Sequence, residues 1–356
     1  MRDQPAGRVS GIVPARNEEI NLRRVIGSLV GQAPLLEIIV VDDASTDGTE
    51  EILEDLAARH PLLRILRVEH LPEGWTGKTY ACALAAAQAG GDWLLFTDAD
   101  TEHLPGSVAY WVERAEREGL DLVSLSPGQM VIRWWEKAAI PQIFAQLARW
   151  YPFDDVSRPD SRRAAANGQY LLVRREVYQQ VGGFESVRSE ILDDVRFAER
   201  VKAHGCRIFF ADGAEWVRAR MYTSFRAMWE GWTKNLYWLA EGRWPRGLAV
   251  MARAWLLDFI PFPAFVMLAA WSLTTRQIGL VTISAAGCLF LALARRARYS
   301  RELARLGFDR RLANYQWLGA GLLGALALSS FCAYRTGQRI QWKGRGYSSA
   351  LSRKQK

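Results

Sequence analysis

The stretch Leu94-Leu95-Phe96-Thr97-Asp98-Ala99-Asp100 decides the fold of the first half of the chain. Its short apolar run, bounded by polar residues, is typical of a buried strand. The strand would carry Asp98 and Asp100 out of its carboxyl end, where open α/β sheets bind ligands. Two hard oxygen donors there suit Mg²⁺ or Mn²⁺ held between protein and a diphosphate. A plain turn also favours Asp, so the surrounding segments decide between these interpretations.

Further apolar runs alternate with helical patterns along residues 8–210. Strands are predicted at Arg8–Val13, Ile38–Val41, Leu63–Val68, Trp93–Thr97, Leu120–Leu125, Tyr170–Val173 and Arg207–Phe210. Between them, apolar residues recur at helical spacing, and Asp47 and Glu50 are spaced like a capping box for the second helix. Strands that alternate with helices predict an α/β fold with a mostly parallel, Rossmann-like sheet and right-handed crossovers.

Charge and cysteine usage limit the class of protein. Of the net charge of +8, Arg295–Arg311 carries +5 and Arg335–Lys356 carries +7, which leaves −4 on the rest of the chain. Because this basicity flanks the most apolar segments, it indicates a membrane surface and not nucleic acid. The four cysteines lack zinc spacing and fit a reducing compartment, and the polar Met1–Arg8 does not resemble a signal peptide.

Three long apolar segments occupy the last third of the chain. Trp255–Trp271 contains one charge, Asp258, and two prolines that would bend it, whereas Ile278–Ala294 and Leu312–Tyr334 contain no charge. A transmembrane helix needs about 20 apolar residues, so two to three transmembrane segments are predicted. Three crossings would place the two basic segments on opposite sides, against the positive-inside rule. A re-entrant first segment would remove this conflict.

The remaining segments suggest the domain boundaries. Trp134–Trp150 is predicted to be either an amphipathic helix on a bilayer or a core-packing helix, and the polar Asp154–Arg163 is predicted to be a loop. Aromatic side chains concentrate in Met221–Trp244, as they do at membrane interfaces. The expected order is an α/β domain at 1–218, interfacial helices at 219–247, a membrane domain at 248–334 and a basic tail at 335–356.

Four motifs follow one another at the predicted strand ends. They are Pro14-Ala15-Arg16-Asn17-Glu18, Val41-Asp42-Asp43-Ala44-Ser45-Thr46-Asp47-Gly48-Thr49, Asp98-Ala99-Asp100 and Leu192-Asp193-Asp194. In this order they make Ser10–Phe210 resemble the family 2 inverting glycosyltransferases, which have a GT-A fold. Gly74-Trp75-Thr76-Gly77-Lys78 and Trp342-Lys343-Gly344-Arg345 resemble the membrane-bound branch that glycosylates carotenoid and hopanoid lipids.

The resemblance and the residue chemistry together suggest the donor contacts. Pro14 and Glu18 belong to the first loop, where Glu18 could accept hydrogen bonds from ribose hydroxyls. Asp43 could accept one from a uracil-like imide, so a UDP-sugar is the expected donor. Lys78, beside a helix N-terminus, suits a phosphate. The structural alternatives are a favourable charge in a helix's first turn for Glu18, helix capping for Asp43 and a solvated surface position for Lys78.

Four acids are expected to perform the chemistry. A divalent ion on Asp98 and Asp100 would neutralise the growing charge of the diphosphate leaving group as a Lewis acid. By resemblance, Asp194 is the base that removes the proton of the acceptor, and repulsion from the adjacent Asp193 would raise its pKa. The alternative is that Asp193 and Asp194 only cap the helix that follows them.

One departure from the family pattern concerns polymer synthesis. Processive members carry Gln-x-x-Arg-Trp on an interfacial helix, whereas this chain has Thr223-Ser224-Phe225-Arg226-Ala227 at the comparable place. The missing Gln and Trp favour transfer of a single sugar. Arg226 and Lys234 remain candidates for diphosphate binding, with contact to lipid headgroups as their alternative.

The expected function is that of a glycosyltransferase in the cell membrane, multi-pass, with a cytoplasmic catalytic domain. It would move one hexose from a nucleotide sugar to a hydroxyl or carboxyl group of a carotenoid, hopanoid or similar lipid. Transfer to a polyprenyl phosphate is an alternative that shares the donor site. A membrane scaffold would not require Asp98, Asp100 or Asp194, and a sugar nucleotidyltransferase would need a Gly-rich loop after the first strand.

Overall fold

The computed structural model describes residues 7–275, 279–336 and 340–347, which divide into two compact units. The sheet unit contains the residues up to Met130 together with Tyr151–Met221. The helical unit contains Val131–Trp150 and Tyr222–Ser349. The chain therefore leaves the sheet unit for one helix, returns to it, and then enters the helical unit for the rest of the described residues.

The sheet unit is built from two sheets. Its strands are β1 (Val9–Ala15), β2 (Leu35–Asp42), β3 (Leu63–Arg67), β4 (Trp93–Phe96), β5 (Thr101–His103), β6 (Leu122–Ser126), β7 (Gly128–Gln129), β8 (Leu171–Arg174), β9 (Ile208–Asp212) and β10 (Val217–Ala219). The large sheet has the order β3-β2-β1-β4-β8-β6-β9, and the small sheet has the order β5-β10-β7. In the large sheet β8 runs antiparallel to β4 and β6, while the other pairs are parallel. The fold is thus α/β, as the alternation of strands and helices predicted, and the sheet is mixed because β8 is antiparallel to both of its neighbours.

Helices pack on the large sheet over two hydrophobic cores. The helices up to residue 203 are α1 (Leu22–Leu29), α2 (Thr49–Arg59), α3 (Gly77–Gln88), α4 (Ser107–Glu118), α5 (Trp134–Trp150, in the helical unit), α6 (Phe153–Ser157), α7 (Arg175–Gln180) and α8 (Asp193–Ala203). Along β2, Ile38 and Val40 enter one core, whereas Ile39 and Val41 enter the other. Burial on both faces explains why Ile38–Val41, within this strand, is continuously apolar.

Local expectations were wrong at two places. The capping box expected from Asp47 and Glu50 is absent at α2, because the N-cap is Gly48 and Asp47 Oδ1 accepts from the Thr49 N–H at 3.1 Å. The predicted loop Asp154–Arg163 begins inside α6. The short strands of the small sheet were not predicted, because two or three residues are too few to show a period.

The strand register brings several chain segments to one edge of the large sheet. Ala15 at the end of β1 pairs with Asp42 at the end of β2, and Ile12 pairs with Phe96 at the end of β4. Because β8 is antiparallel to β4 and begins at Leu171 opposite Phe96, the residues before β8 reach the same edge. The acids that follow β4 therefore meet residues from a distant part of the sequence.

The helical unit is mostly α-helical. Its remaining elements are α9 (Phe225–Leu239), α10 (Trp244–Arg253), α11 (Pro261–Thr275), α12 (Leu280–Arg305), α13 (Gln316–Arg335), β11 (Ile340–Trp342) and β12 (Arg345–Tyr347). A π-helical turn at Ala254–Phe259 joins α10 to α11. Pro261 is the first residue of α11, where a missing N–H is tolerated. In α5, nearly all of Trp135–Gln146 is buried, which favours the core-packing interpretation over the interfacial one.

Two helical stretches within the described residues are long and apolar enough to cross a membrane. They are Trp244–Thr275 and Arg310–Arg335, and they include the first and third predicted apolar segments. The second predicted segment begins at Ile278, outside the described residues, and continues in α12, which is not one of these two stretches. Most of the basic tail Arg335–Lys356 also lies outside the described residues.

Candidate functional site

A pocket lies at the edge of the large sheet where β1 and β4 end and β8 begins. The space between its lining residues, including the solvent at its opening, is about 230 Å³. Apolar side chains of Phe96, Leu171 and Phe184 line it together with Cys82. It also brings together five residues that the sequence singled out, namely Pro14, Lys78, Asp98, Asp193 and Asp194.

Lys78 reaches the pocket from the first turn of α3. The N-cap of this helix is Thr76, whose hydroxyl accepts from the Thr79 N–H at 3.2 Å. Lys78 Nζ lies 2.6 Å from Asp98 Oδ1 in a half-buried ion pair. Burial lowers the pKa of the Lys78 ammonium, but the carboxylates of Asp98 and of the Asp193–Asp194 pair overcome this and hold it well above its ordinary value. Lys78 is therefore a fixed positive charge in a pocket of acids.

The two acids that follow β4 have different neighbours. Asp98 faces the Lys78 ammonium, whereas the Asp100 carboxylate accepts from Gln169 Nε2 at 3.2 and 3.4 Å. Gln169 is only 2% exposed, and its side-chain carbonyl accepts from Gln129 Nε2 at 3.2 Å. A buried amide with both ends bonded has one allowed orientation, so it fixes the direction of the Asp100 carboxylate.

Asp98 and Asp100 fit a divalent ion of a restricted kind. Within residues 7–275, 279–336 and 340–347, no group of three His, Cys, Asp or Glu side chains is placed to hold a metal. Mg²⁺, however, is commonly held by one or two carboxylates with water and substrate phosphates as the other ligands. The pair therefore suits an ion that arrives with a diphosphate better than one held by protein alone.

A buried hydroxyl network supports the turn that carries both acids. Thr97 Oγ1 lies 2.9 Å from both Thr101 Oγ1 and His103 Nε2. It donates a hydrogen bond to the backbone carbonyl of Gln169 at 2.8 Å. Burial lowers the pKa of His103 to about 3, so this imidazole is neutral at physiological pH. The network ties the end of β4 to β5 and to the residues before β8.

Asp194 stands in the first turn of α8, opposite Lys78 in the pocket. Its Oδ2 accepts from the Gly168 N–H and its Oδ1 accepts from the Val195 N–H, each at 2.8 Å. Burial and the adjacent Asp193 carboxylate raise the pKa of Asp194 to about 6, although Lys78 and the two N–H groups act in the opposite direction. The bond from Val195 shows that Asp194 also satisfies part of its helix N-terminus, so the capping interpretation accounts for some of its contacts.

Gly168, in the segment before β8, lies in the pocket beside Lys78 and Asp194. A Cβ atom at this position would lie 2.6 Å from Lys78 Nζ and 3.6 Å from Asp194 Oδ2. A side chain there would displace the Lys78 ammonium. Sequence reasoning missed Gly168 and Gln169, and the one available signal was the turn-like Asn167-Gly168 before a strand.

The loops that follow β1 and β2 are joined next to the pocket. The Asp43 N–H donates to the Ala15 carbonyl at 2.8 Å, and Arg16 Nη1 donates to the Asp43 and Ala44 carbonyls. The Glu18 N–H donates to Thr49 Oγ1 at 2.8 Å. Asp43 and Glu18 are both buried, and neither belongs to the pocket lining.

These loops also carry strained backbone. Asn17 and Ala44 have positive φ angles of 53° and 51°. Such conformations in residues other than glycine cluster at functional sites, because the surrounding structure must hold them. Hydrogen bonds between the two loops do so here, since Asn17 Oδ1 accepts from the Thr46 N–H at 2.8 Å and the Asn17 N–H donates to Ser45 Oγ at 2.9 Å.

Arg226 belongs to the helical unit, in the first turn of α9. Its side chain is 88% exposed, and its Nε donates to Glu230 at 2.8 Å. Lys234, two turns further along α9, lies over the Trp342 ring at 5.7 Å. A role of Arg226 or Lys234 in diphosphate binding stays a prediction.

Comparison with known sequences agrees with this fold and this arrangement of motifs. The sequence model of glycosyl transferase family 2 matches residues 10–182. A 4,4'-diaponeurosporenoate glycosyltransferase from Staphylococcus haemolyticus is 29% identical over 64% of this chain and 60% of its own length. One from Staphylococcus aureus is 26% identical over 95% of this chain and 87% of its own length.

Solved structures give the same fold. The chain is similar to a mannosyltransferase from Pyrobaculum calidifontis in complex with GDP-Man and Mn²⁺, with a TM-score of 0.53 and 20% identity. The alignment covers 92% of this chain and 86% of that one. The matched region 10–182 contains β1 to β8 and the Asp98–Asp100 pair, and it ends before α8. Residues 10–182 therefore form a domain that matches glycosyl transferase family 2, and the protein is a glycosyltransferase.

Proposed function

We propose that this enzyme transfers one sugar, with inversion, from a UDP-sugar to a carotenoid-type or hopanoid-type lipid at a membrane. The observation that carries the proposal is the pocket in which Asp194 faces the ion pair of Lys78 and Asp98. One side of this pocket has the charges needed for a leaving diphosphate. The other has a carboxylate with the properties of a base.

On the donor side, Lys78 is the protein's own positive charge. Its ammonium, held among carboxylates, would bind the donor diphosphate, and Asp43 and Glu18 would hold the base and ribose beside Pro14. When bound on Asp98 and Asp100, a divalent ion would act as a Lewis acid that neutralises the charge of the leaving group. If the Lys78 ammonium left Asp98 to bind the diphosphate, the Asp98 carboxylate would become available to the metal ion when the donor binds.

On the acceptor side, Asp194 would take the proton of an attacking hydroxyl. A general base works best with a pKa near the operating pH, and the pKa of Asp194 is raised to about 6. A base that assists direct attack by the acceptor produces a single displacement, which inverts the anomeric carbon. An acceptor carboxylate would arrive without its proton, so it would depend less on Asp194.

The lipid acceptor is supported by the relatives. A protein named for diaponeurosporenoate, a carotenoid acid, aligns with 95% of this chain, including the helical unit. Apolar helices within the described residues support attachment to a membrane, which we take to be the cell membrane with the catalytic unit on its cytoplasmic side. Transfer to a polyprenyl phosphate would use the same donor pocket.

A mass measurement tests the proposal. Purified enzyme is incubated with a panel of nucleotide sugars, Mn²⁺ or Mg²⁺, and a lipid extract or defined hydroxylated, carboxylated and polyprenyl-phosphate lipids. We expect a gain of one hexose on a hydroxyl or carboxyl lipid. A gain on polyprenyl phosphate alone would favour the alternative, and release of free sugar without any lipid product would contradict lipid transfer.

A further inference from the structure

The helical unit contains two kinds of apolar helix. α13 packs against α5, α9 and α10. Of the 18 consecutive residues that are most apolar in Arg310–Arg335, 56% are buried. α11 and α12 pack mainly on each other. Of the 18 consecutive residues that are most apolar in Trp244–Thr275, which ends with α11, only 6% are buried. The stretch that ends with α11 and the stretch that contains α13 have similar hydropathy, so their packing must decide which of them meets lipid.

The contacts of α13 are those of an interior helix. A Cβ atom at Gly319 would lie 2.1 Å from the Ala138 carbonyl of α5, and one at Gly324 would lie 2.0 Å from the Trp255 indole nitrogen. Neighbouring backbone and rings thus occupy the space that side chains would need. Such close packing requires protein, not fluid lipid, on these faces.

The polar groups around α13 support the same conclusion. Ser330 Oγ donates to the Thr233 carbonyl of α9 at 2.6 Å. The outer side of α9 carries the ion pair of Arg226 and Glu230. A helix covered by a charged amphipathic helix does not have the apolar belt that a bilayer core requires.

The hairpin of α11 and α12 has the opposite character. Six of its large apolar side chains are between 49% and 75% exposed, namely Val266, Met267, Trp271, Ile283, Phe290 and Leu293. Soluble proteins rarely expose so much contiguous apolar surface. The fitting partner for this surface is the acyl chain region of a bilayer.

Charged residues mark one end of the hairpin. Asp258 is 4% exposed, and it accepts from Arg295 Nε at 2.7 Å and from Gln316 Nε2 at 3.0 Å. Six further arginines follow in 296–311. Arginines next to an apolar segment favour the anionic surface of the cytoplasmic leaflet. This end of the hairpin therefore lies at the membrane surface, with the apolar part beyond it.

We propose that the α11–α12 hairpin is the membrane-inserted element and that α13 remains outside the hydrocarbon core. The proposal rests on the membrane attachment proposed above. The two arms of a hairpin begin and end on the same side of the membrane. Because α13 does not cross the membrane in this proposal, the chain stays on that side after the hairpin. Arg295–Arg311 and the basic residues after Arg335 therefore share the cytoplasmic side. This arrangement satisfies the positive-inside rule, which three crossings would violate.

Cysteine labelling of the full-length chain tests this topology. The four native cysteines are replaced by alanine, and Arg298→Cys or Thr336→Cys is introduced at exposed positions before and after α13. Sealed membrane vesicles of each orientation are treated with a membrane-impermeant maleimide. We expect both variants to be labelled only from the cytoplasmic face. Labelling from opposite faces would show that α13 crosses and would overturn the proposal.

A chain that retains only Cys288, on α12, reports on the hairpin. We expect no labelling in vesicles of either orientation until detergent is added, because the thiol lies in lipid. Labelling without detergent would overturn insertion of the hairpin. Sedimentation in isotonic buffer before labelling separates the two proposals: absence of the chain from the membrane pellet contradicts membrane attachment itself, whereas retention with opposite-face labelling contradicts only the topology.

Discussion

The pocket of the sheet unit and the hairpin of the helical unit handle charge in opposite ways. The pocket gathers four charged side chains, and it holds them by contacts such as the ion pair of Lys78 with Asp98 and the N–H groups that donate to Asp194. Among the described residues, the hairpin carries no charge from Pro261 to Thr275 or from Leu280 to Ala294, and its charges gather at one end, where Asp258 meets Arg295. The difference teaches that charge placement suits one unit to chemistry and the other to the membrane contact proposed above.

Removing a pocket carboxylate should have the largest effect. Asp98→Asn removes a candidate metal ligand and the partner of Lys78, so we expect turnover to fall at least about 10³-fold, since a Lewis acid supplies several kcal/mol. Asp100→Asn should act in the same direction, and EDTA should reproduce the loss in the wild type. Steady-state transfer assays measure it, with the exposed Asp92→Asn as control. Full activity in EDTA would remove the metal from the account.

A charge on the hairpin should change membrane retention and leave the pocket intact. Phe290→Glu places a carboxylate at a 75% exposed position, and a charge at such depth costs about 3 kcal/mol. We expect a larger soluble fraction after a salt wash, whereas Leu328→Glu, on the exposed side of α13, should leave retention unchanged. Sedimentation and immunoblotting measure both variants. Equal release of the two would remove the distinction between the hairpin and α13.

The amide beneath Asp100 should affect metal use more than chemistry. Gln169→Leu leaves the Asp100 carboxylate without its buried donor, and groups that orient a metal ligand typically change metal affinity about 10–100-fold. We expect the Mn²⁺ concentration for half-maximal activity to rise by this factor, with kcat largely restored at saturating metal. Gln129→Leu should have a smaller effect. An unchanged Mn²⁺ titration in a folded Gln169→Leu variant would mean that Gln169 does not orient Asp100.

The smallest expected effect is a shift in pH dependence. Activity should rise with pH through the pKa of Asp194, about 6, because the base must be deprotonated. The Asp193 charge raises this pKa, and Lys78 and the N–H groups of Gly168 and Val195 lower it. Asp193→Asn should therefore move the acidic limb to lower pH, with less than a tenfold loss of plateau rate. A limb that moves upward would show that Asp193 does not act on the base in this way.

Local patterns predicted the strands and helices of the sheet unit well, since each apolar run ends at a polar strand end. The same logic pointed to Asp98, whereas the roles of Asp193 and Asp194 came from the resemblance to a glycosyltransferase family. It could not find Gln169, because that contact depends on β8 running antiparallel to β4, and strand direction is not encoded in a local period. Hydropathy alone also does not decide whether α13 spans the membrane, because a buried helix and a lipid-facing helix need the same side chains.

The central claim is that Asp194 is the base of the reaction. Asp194→Asn keeps the size and much of the hydrogen bonding but removes the proton acceptor, and it is compared with Asp193→Asn and the wild type. Calorimetry measures UDP-sugar affinity, and rapid mixing measures single-turnover transfer to a hydroxylated lipid. We expect unchanged donor affinity and a transfer rate about 10²–10⁴-fold lower for Asp194→Asn. Transfer at the wild-type rate by Asp194→Asn would contradict the account and place the base elsewhere.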